Sequence, residues 1–133
     1  MGAWATDSFA NDDALDWLID FAETPTIEML RDTLEHITKL DADDESEAPD
    51  CSEAIAAAEI VAALNGKPAA NLPDDLKTWL QTDHGLDAKA LRAVAIATLK
   101  RIVQASELQE LWAESDLNAQ WLAEIAELEQ RLA

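Results

Sequence analysis

The sequence predicts an all-α protein, a compact bundle of about six to seven helices with an irregular N-terminal arm docked on the core. One domain covers residues 1–133. Three observations predict it. Alanine fills 26 of 133 positions, while glycine (3) and proline (4) are scarce; alanine is the best helix former. Apolar residues recur at i, i+3, i+4 and i+7 in segment after segment. No stretch alternates apolar and polar residues between turn signals, as a half-buried strand would.

Residues 1–11 lack helical period and form the arm. Trp4 and Phe9 are two of only seven aromatics. Burying a Trp removes roughly 150–250 Å² from water, about 4–6 kcal/mol gross. The arm is therefore expected to plug onto the core through both rings, with an aromatic partner patch as the other use. From Asp13 to Glu23, Ala14, Trp17, Leu18 and Phe21 form one face, and Asp13, Asp16, Asp20 and Glu23 the other. A second helix is expected to start with Thr24 as cap and Pro25 in the first turn. It carries Ile27, Leu30, Leu34 and Ile37 to about Leu40.

Residues 41–50, "DADDESEAPD", hold six acids and a proline. Such a stretch has little to bury and reads as a solvated, mobile loop. Ser52 is expected to cap the third helix, "SEAIAAAEIVAALNG", with Gly66 ending it. That helix is apolar on every side, so it belongs in the interior. Pro73, Asp74 and Asp75 open a short fourth helix with Leu76, Trp79 and Leu80 inward, and Gly85 stops it, with Leu86 folding back on Leu80. Asp87 caps a fifth, apolar at Leu91, Ile96, Leu99, Ile102 and Val103, whose charges are all basic: Lys89, Arg92, Lys100 and Arg101. Ser106 and Gln109 make a capping box for a short sixth helix. Asp116 is expected to cap the last, where Leu117, Trp121, Ile125, Leu128 and Leu132 draw the clearest stripe in the chain. The third or fifth helix should lie at the centre.

Charge bounds the function. Twenty-eight acids against nine bases give −19 and a pI near 4.1. Such a surface repels nucleic acid and anionic membranes. A basic protein partner, divalent cations or plain solubility remain. A single cysteine, Cys51, excludes an intramolecular disulfide. No signal sequence or membrane span is apparent, which leads to a cytoplasmic protein.

The candidate sites are few, and each has a structural reading beside the chemical one. Asn11, Asp12, Asp13 and Asp16 could offer oxygen ligands to Mg²⁺ or Ca²⁺, although they do not follow an EF-hand frame. They equally suit the capped, acidic first turn of a helix. The acidic loop, through Asp43, Asp44, Glu45 and Glu47, is the candidate docking surface for a basic protein, since clustered charge speeds encounter and sets specificity. Small acidic immunity proteins that neutralise bacterial toxins offer an analogy, resting on no motif. Glu59 lies mid-helix among alanines, so a basic partner is expected across an interior ion pair, with Arg92 and Arg101 the candidates. His36 and His84 stand alone, and His84 suits a helix C-terminus. Acids near Cys51 disfavour its thiolate. No G-x-S-x-G, P-loop or phosphate cradle is present. No catalytic set and no cofactor are expected. A monomer, or a homodimer through helix 117–132, would suit the stripes.

Four stretches together resemble bacterial domain-of-unknown-function family 4259: "MGAW…F…NDDALDWL", "SEAIAAAEIVAALNGKP", "LPDDLKTW" and "SELQELWAES…W". They span nearly the whole chain. The family opens on Met-Gly-x-Trp-Gly-x-Gly-x-Phe and an acidic cluster. Here Ala5 and Asp7 stand in place of its glycines and Ala10 in place of a common acid, so no glycine turn carries over. The resemblance implies fold boundaries and brings no reaction, cofactor or site. The leading expectation is a non-enzymatic, acidic protein-binding domain. The competing one is a divalent-metal protein or small hydrolase built on Asp12, Asp13, Asp16 and perhaps Glu59.

Overall fold

The structure is a computed structural model that describes residues 9, 11–41, 43–70 and 72–133. Among them are seven α-helices: α1 (Asp12–Glu23), α2 (Ile27–Thr38), α3 (Ala48–Leu64), α4 (Asp74–Leu80), α5 (Arg92–Gln104), α6 (Glu107–Ala113) and α7 (Asn118–Leu132). A single 3-10 turn, Lys89–Leu91, leads into α5. The all-α bundle expected from alanine content and periodicity is the fold observed. Of the arm, Phe9 is buried in the core; Trp4 lies outside the described residues.

The α3 helix is the axis of the molecule, packed against α1, α2, α5, α6 and α7. From Cys51 to Ala63 every residue except Glu53 is buried. Its alanines explain the arrangement. Small side chains let five neighbours approach one helix, and four of them supply the bulk: Phe21, Leu30, Leu34, Leu99, Ile102 and Leu128 are almost fully enclosed. Truncating one of these leucines would cost about 2–5 kcal/mol. The helix stops where the sequence says it should. Gly66 adopts φ +86°, the Lys67 N–H donates to the Ala62 carbonyl at 2.9 Å, and the Gly66 N–H to Ala63 at 3.0 Å. These two bonds make a Schellman ending.

Several helix starts differ from expectation. Thr26, rather than Thr24, caps α2; its Oγ1 accepts the Met29 N–H at 3.1 Å, and Pro25 lies just outside the helix. Pro25 lacks an N–H, so it is as harmless before the cap as in the first turn. The α3 helix begins at Ala48, one turn before Ser52, with Pro49 in its opening turn. Residues 48–50 are thus helix and the acidic loop ends at Glu47. Asp87 Oδ1 takes the Lys89 N–H at 3.0 Å in a local turn instead of capping α5. At α7, Ser115 Oγ receives the Leu117 N–H at 3.1 Å where Asp116 was expected to cap. Ser106 performs as the capping box requires, accepting the Gln109 N–H at 3.0 Å.

Aromatic contacts tie the periphery to the core. Trp17 stacks on Phe21 at 5.4 Å, and Trp79 of α4 meets Phe21 edge-on at 5.5 Å. Trp112 and Trp121 stack at 6.1 Å between α6 and α7. The Trp17 indole N–H donates to Thr33 Oγ1 at 3.1 Å, which gives this buried ring its polar partner on α2. The α7 stripe is spent inside the protein: Trp121, Ile125, Leu128 and Leu132 are buried, and only Leu117 is exposed.

Candidate functional site: a pinned acidic surface

The acidic loop is held in place. Its anchor is Arg101 on α5, whose Nη1 donates to the Leu40 carbonyl at 2.6 Å and whose Nη2 donates to the carbonyls of Asp41 (2.6 Å) and Asp44 (3.1 Å). A guanidinium suits this task because its planar fork of donors serves several carbonyls at once. A second clip closes the loop's far end. Ser46 bridges to Ser106, the Glu107 N–H donates to the Ser46 carbonyl at 2.9 Å, and Glu107 Oε1 accepts the Ala48 N–H at 2.9 Å. Glu107 thereby caps α3 from a remote position, doing what Glu47 does not. Ser46 is itself buried, and Cys51 Sγ donates to its hydroxyl at 3.3 Å. Composition led to a mobile loop; among its described residues, the Asp41, Asp44 and Ser46 carbonyls are bonded to α5 and α6, contacts that composition alone does not reveal.

Asp43, Asp44, Glu45 and Glu47 all remain exposed. With Gln109 and Glu110 of α6, the first three border a shallow cleft of about 300 Å³. Glu45 feels the crowding. A hydrogen bond shared with Glu110, then lost hydration, then the charges of Glu110 and Glu107 push its pKa above the ordinary carboxylate range. Glu45, Glu107 and Glu110 thus bring like charges together beside the cleft.

The interior acid is elsewhere. Glu59 is 2% exposed, and its carboxylate receives Arg131 Nη2 at 2.6 Å. Arg131, on the last turn of α7, also forks onto Glu127 at 2.7 Å and reaches the Lys67 carbonyl at 3.2 Å. Burial works against the Arg131 charge, but the hydrogen bond to Glu127 and the Glu59 carboxylate outweigh it, and its pKa is raised. Among the described residues the cation on Glu59 is thus Arg131, not Arg92 or Arg101. Arg92 is exposed at the start of α5, and Arg101 is committed to the loop carbonyls. The signal for Arg131 was present: it is the only base on α7 and flanks the Leu128 stripe.

The N-terminal cluster behaves as a helix start. Asn11 Oδ1 accepts the Ala14 N–H at 2.8 Å, Asp12 and Asp16 are exposed and Asp13 is half-buried. Among the described residues no group of three or more His, Cys, Asp or Glu side chains is gathered as a metal would need. His36 pairs with Asp50 at 3.0 Å on the surface. His84 stacks on Trp79 at 4.7 Å and its Nδ1 accepts the Leu86 N–H, fixing the turn at Gly85. Burial raises the Cys51 thiol, opposed by hydrogen bonds to Ser46 and Ser106. No helix among the described residues is long and apolar enough to cross a membrane.

This is a small helical domain whose recurring features are an alanine-built central helix and an acidic coat. The chain matches a family model described as Domain of unknown function (DUF4259) over residues 2–124. It belongs to that family. No curated protein and no solved structure matches it.

Proposed function

We propose that this is a non-enzymatic, cytoplasmic binding domain that recognises a basic protein through its acidic loop, in the manner of small acidic immunity proteins. One observation carries the reading: Arg101 and the Ser46–Ser106 clip tie the loop backbone to α5 and α6, with Asp43, Asp44, Glu45 and Glu47 exposed. Ordering a loop before binding lowers the entropy lost on association. Crowded carboxylates around Glu45 repel one another in the free protein, and a cationic partner relieves that repulsion. The net charge of −19 steers basic proteins inward and keeps nucleic acid and anionic membranes away.

The metal-dependent alternative finds less support, since the Asn11 side chain is occupied as a helix cap. The test is a pull-down from the native host. The intact protein is compared with a variant in which Asp43, Asp44, Glu45 and Glu47 become Asn or Gln. A basic protein retained by the first and lost by the second is the expected result. An identical set of bound proteins, or none, would overturn the proposal.

A further inference from the structure

A second surface lies apart from the acidic loop, between α1 and α4. Leu15, Leu18, Ile19 and Ala22 on one side and Leu76 and Trp79 on the other enclose an apolar groove of about 460 Å³. Ile19 is 59% exposed, the largest such value among the big apolar residues described. This isoleucine, in the middle of an amphipathic helix and beside a half-buried tryptophan, is not among the residues that build the core. Helix α1 carries two apolar faces for this reason. Trp17, Phe21 and Ala14 pack inward, while Leu15, Ile19 and Ala22 turn toward α4. The spacing of the outer set, i, i+4, i+7, runs about 10 Å along the helix. That is the footprint of two turns of a second helix.

The rim selects the partner. At 100° per residue, Asp12, Asp16 and Glu23 fall within about 60° of Ile19, and all three are exposed. Across the groove, Asp75 lines the wall and Asp74 is exposed next to it. Helix α1 has no basic residue, and Lys77 of α4 stands 4.0 Å from Asp74. Apolar floor and acidic walls complement one chemistry, an amphipathic helix with an apolar ridge between lysines or arginines. A second copy of this chain would set acid against acid across the same rim.

We infer that the α1–α4 groove docks a basic amphipathic helix of a protein partner, seated by its apolar ridge on Ile19 and Trp79. The surface is separate from the loop, and the inference stands whether or not the loop binds.

The probe is a Leu/Lys peptide of about 18 residues, five helical turns, with its leucines on one face. Controls are a scrambled peptide of identical composition and a Leu/Glu counterpart. Titration at 0.15 M salt, read by peptide anisotropy and by amide shifts of the protein, should give saturable binding with the largest shifts at Ile19 and Trp79. Ile19→Gln, neutral and at an exposed position, should weaken it roughly tenfold without altering the urea midpoint. The variant with four neutralised loop acids should bind within about threefold of the parent, since distant surface charges are largely screened at this salt. Equal affinity for the scrambled peptide would show diffuse charge attraction and overturn the inference. So would equal affinity for the Leu/Glu peptide, which would remove the role of the rim. Self-association in sedimentation that Ile19→Gln abolishes would assign the groove to a second copy and overturn it as well.

Discussion

Replacing Arg131 by Met keeps the aliphatic stem and removes the guanidinium. The consequence follows from where Arg131 sits. Glu59 is 2% exposed and Arg131 16%, at 2.6 Å. The mutation removes a cation paired with a carboxylate that has almost no access to water. Breaking such a pair from one side costs about 3–5 kcal/mol. Glu127, the other arm of the bridge, is 56% exposed, and an exposed i, i+4 pair adds only about 0.3–0.5 kcal/mol. With Arg131 itself partly exposed, the low end applies, about 3 kcal/mol. For 133 residues the unfolding entropy is about 0.28 kcal/mol/K near the midpoint, so the melting temperature should fall by about 10 °C. Urea unfolding followed by far-ultraviolet circular dichroism measures the loss, with an unchanged m-value showing that the fold is intact. Glu59→Gln provides the second edge of a cycle. The double variant should lose less than the two singles together, by about 1.5–3 kcal/mol. A single Arg131→Met loss below about 0.5 kcal/mol, or strict additivity, would refute the reasoning.

Other outcomes follow from the same structure. Arg101→Gln should cost about 1.5–3 kcal/mol, because three carbonyl contacts to a charged donor are lost. It should also speed amide exchange at 43–47 before any change elsewhere. Asn11→Ala removes the α1 cap and should cost about 1 kcal/mol by chemical unfolding. Cys51, buried with a raised pKa, should react with a thiol reagent at least ~100-fold more slowly in the native than in the unfolded chain. Glu45 has a folded pKa above its unfolded value, so the folded state holds its proton more tightly. Its ionisation therefore opposes folding, fully above the folded pKa, and the penalty fades as pH falls toward the ordinary carboxylate value. Carbon-detected titration should place the Glu45 midpoint high, and Glu110→Gln should lower it.

The helices were legible because their cause is local. The Ala14–Trp17–Leu18–Phe21 face, the all-apolar α3 and the Ser106 box depend on neighbours within a few positions, and each appears as its spacing implies. Starts were less legible where two residues compete to cap, as with Thr24 and Thr26, since either side chain satisfies the same donors. The acidic loop shows a deeper limit. Its anchors are Arg101 and Glu107, about 60 positions away along the chain, and composition carries no information about such pairs. The ion pair of Glu59 was half legible. A carboxylate amid alanines demanded a cation, and the sequence pointed to Arg92 and Arg101 on the basic fifth helix. Only the packing of α7 on α3 chose Arg131.

On the proposed function, a basic partner is held at the pinned loop. Zero-length carbodiimide cross-linking in extracts of the native host tests it directly, because it joins carboxylates to lysines in contact. Cross-links to the captured protein should concentrate at Asp43, Asp44, Glu45, Glu47 and Glu110 and disappear in Arg101→Gln, which keeps those acids but frees the loop. Cross-links spread over the exposed acids of the whole molecule, unchanged by Arg101→Gln, would contradict it.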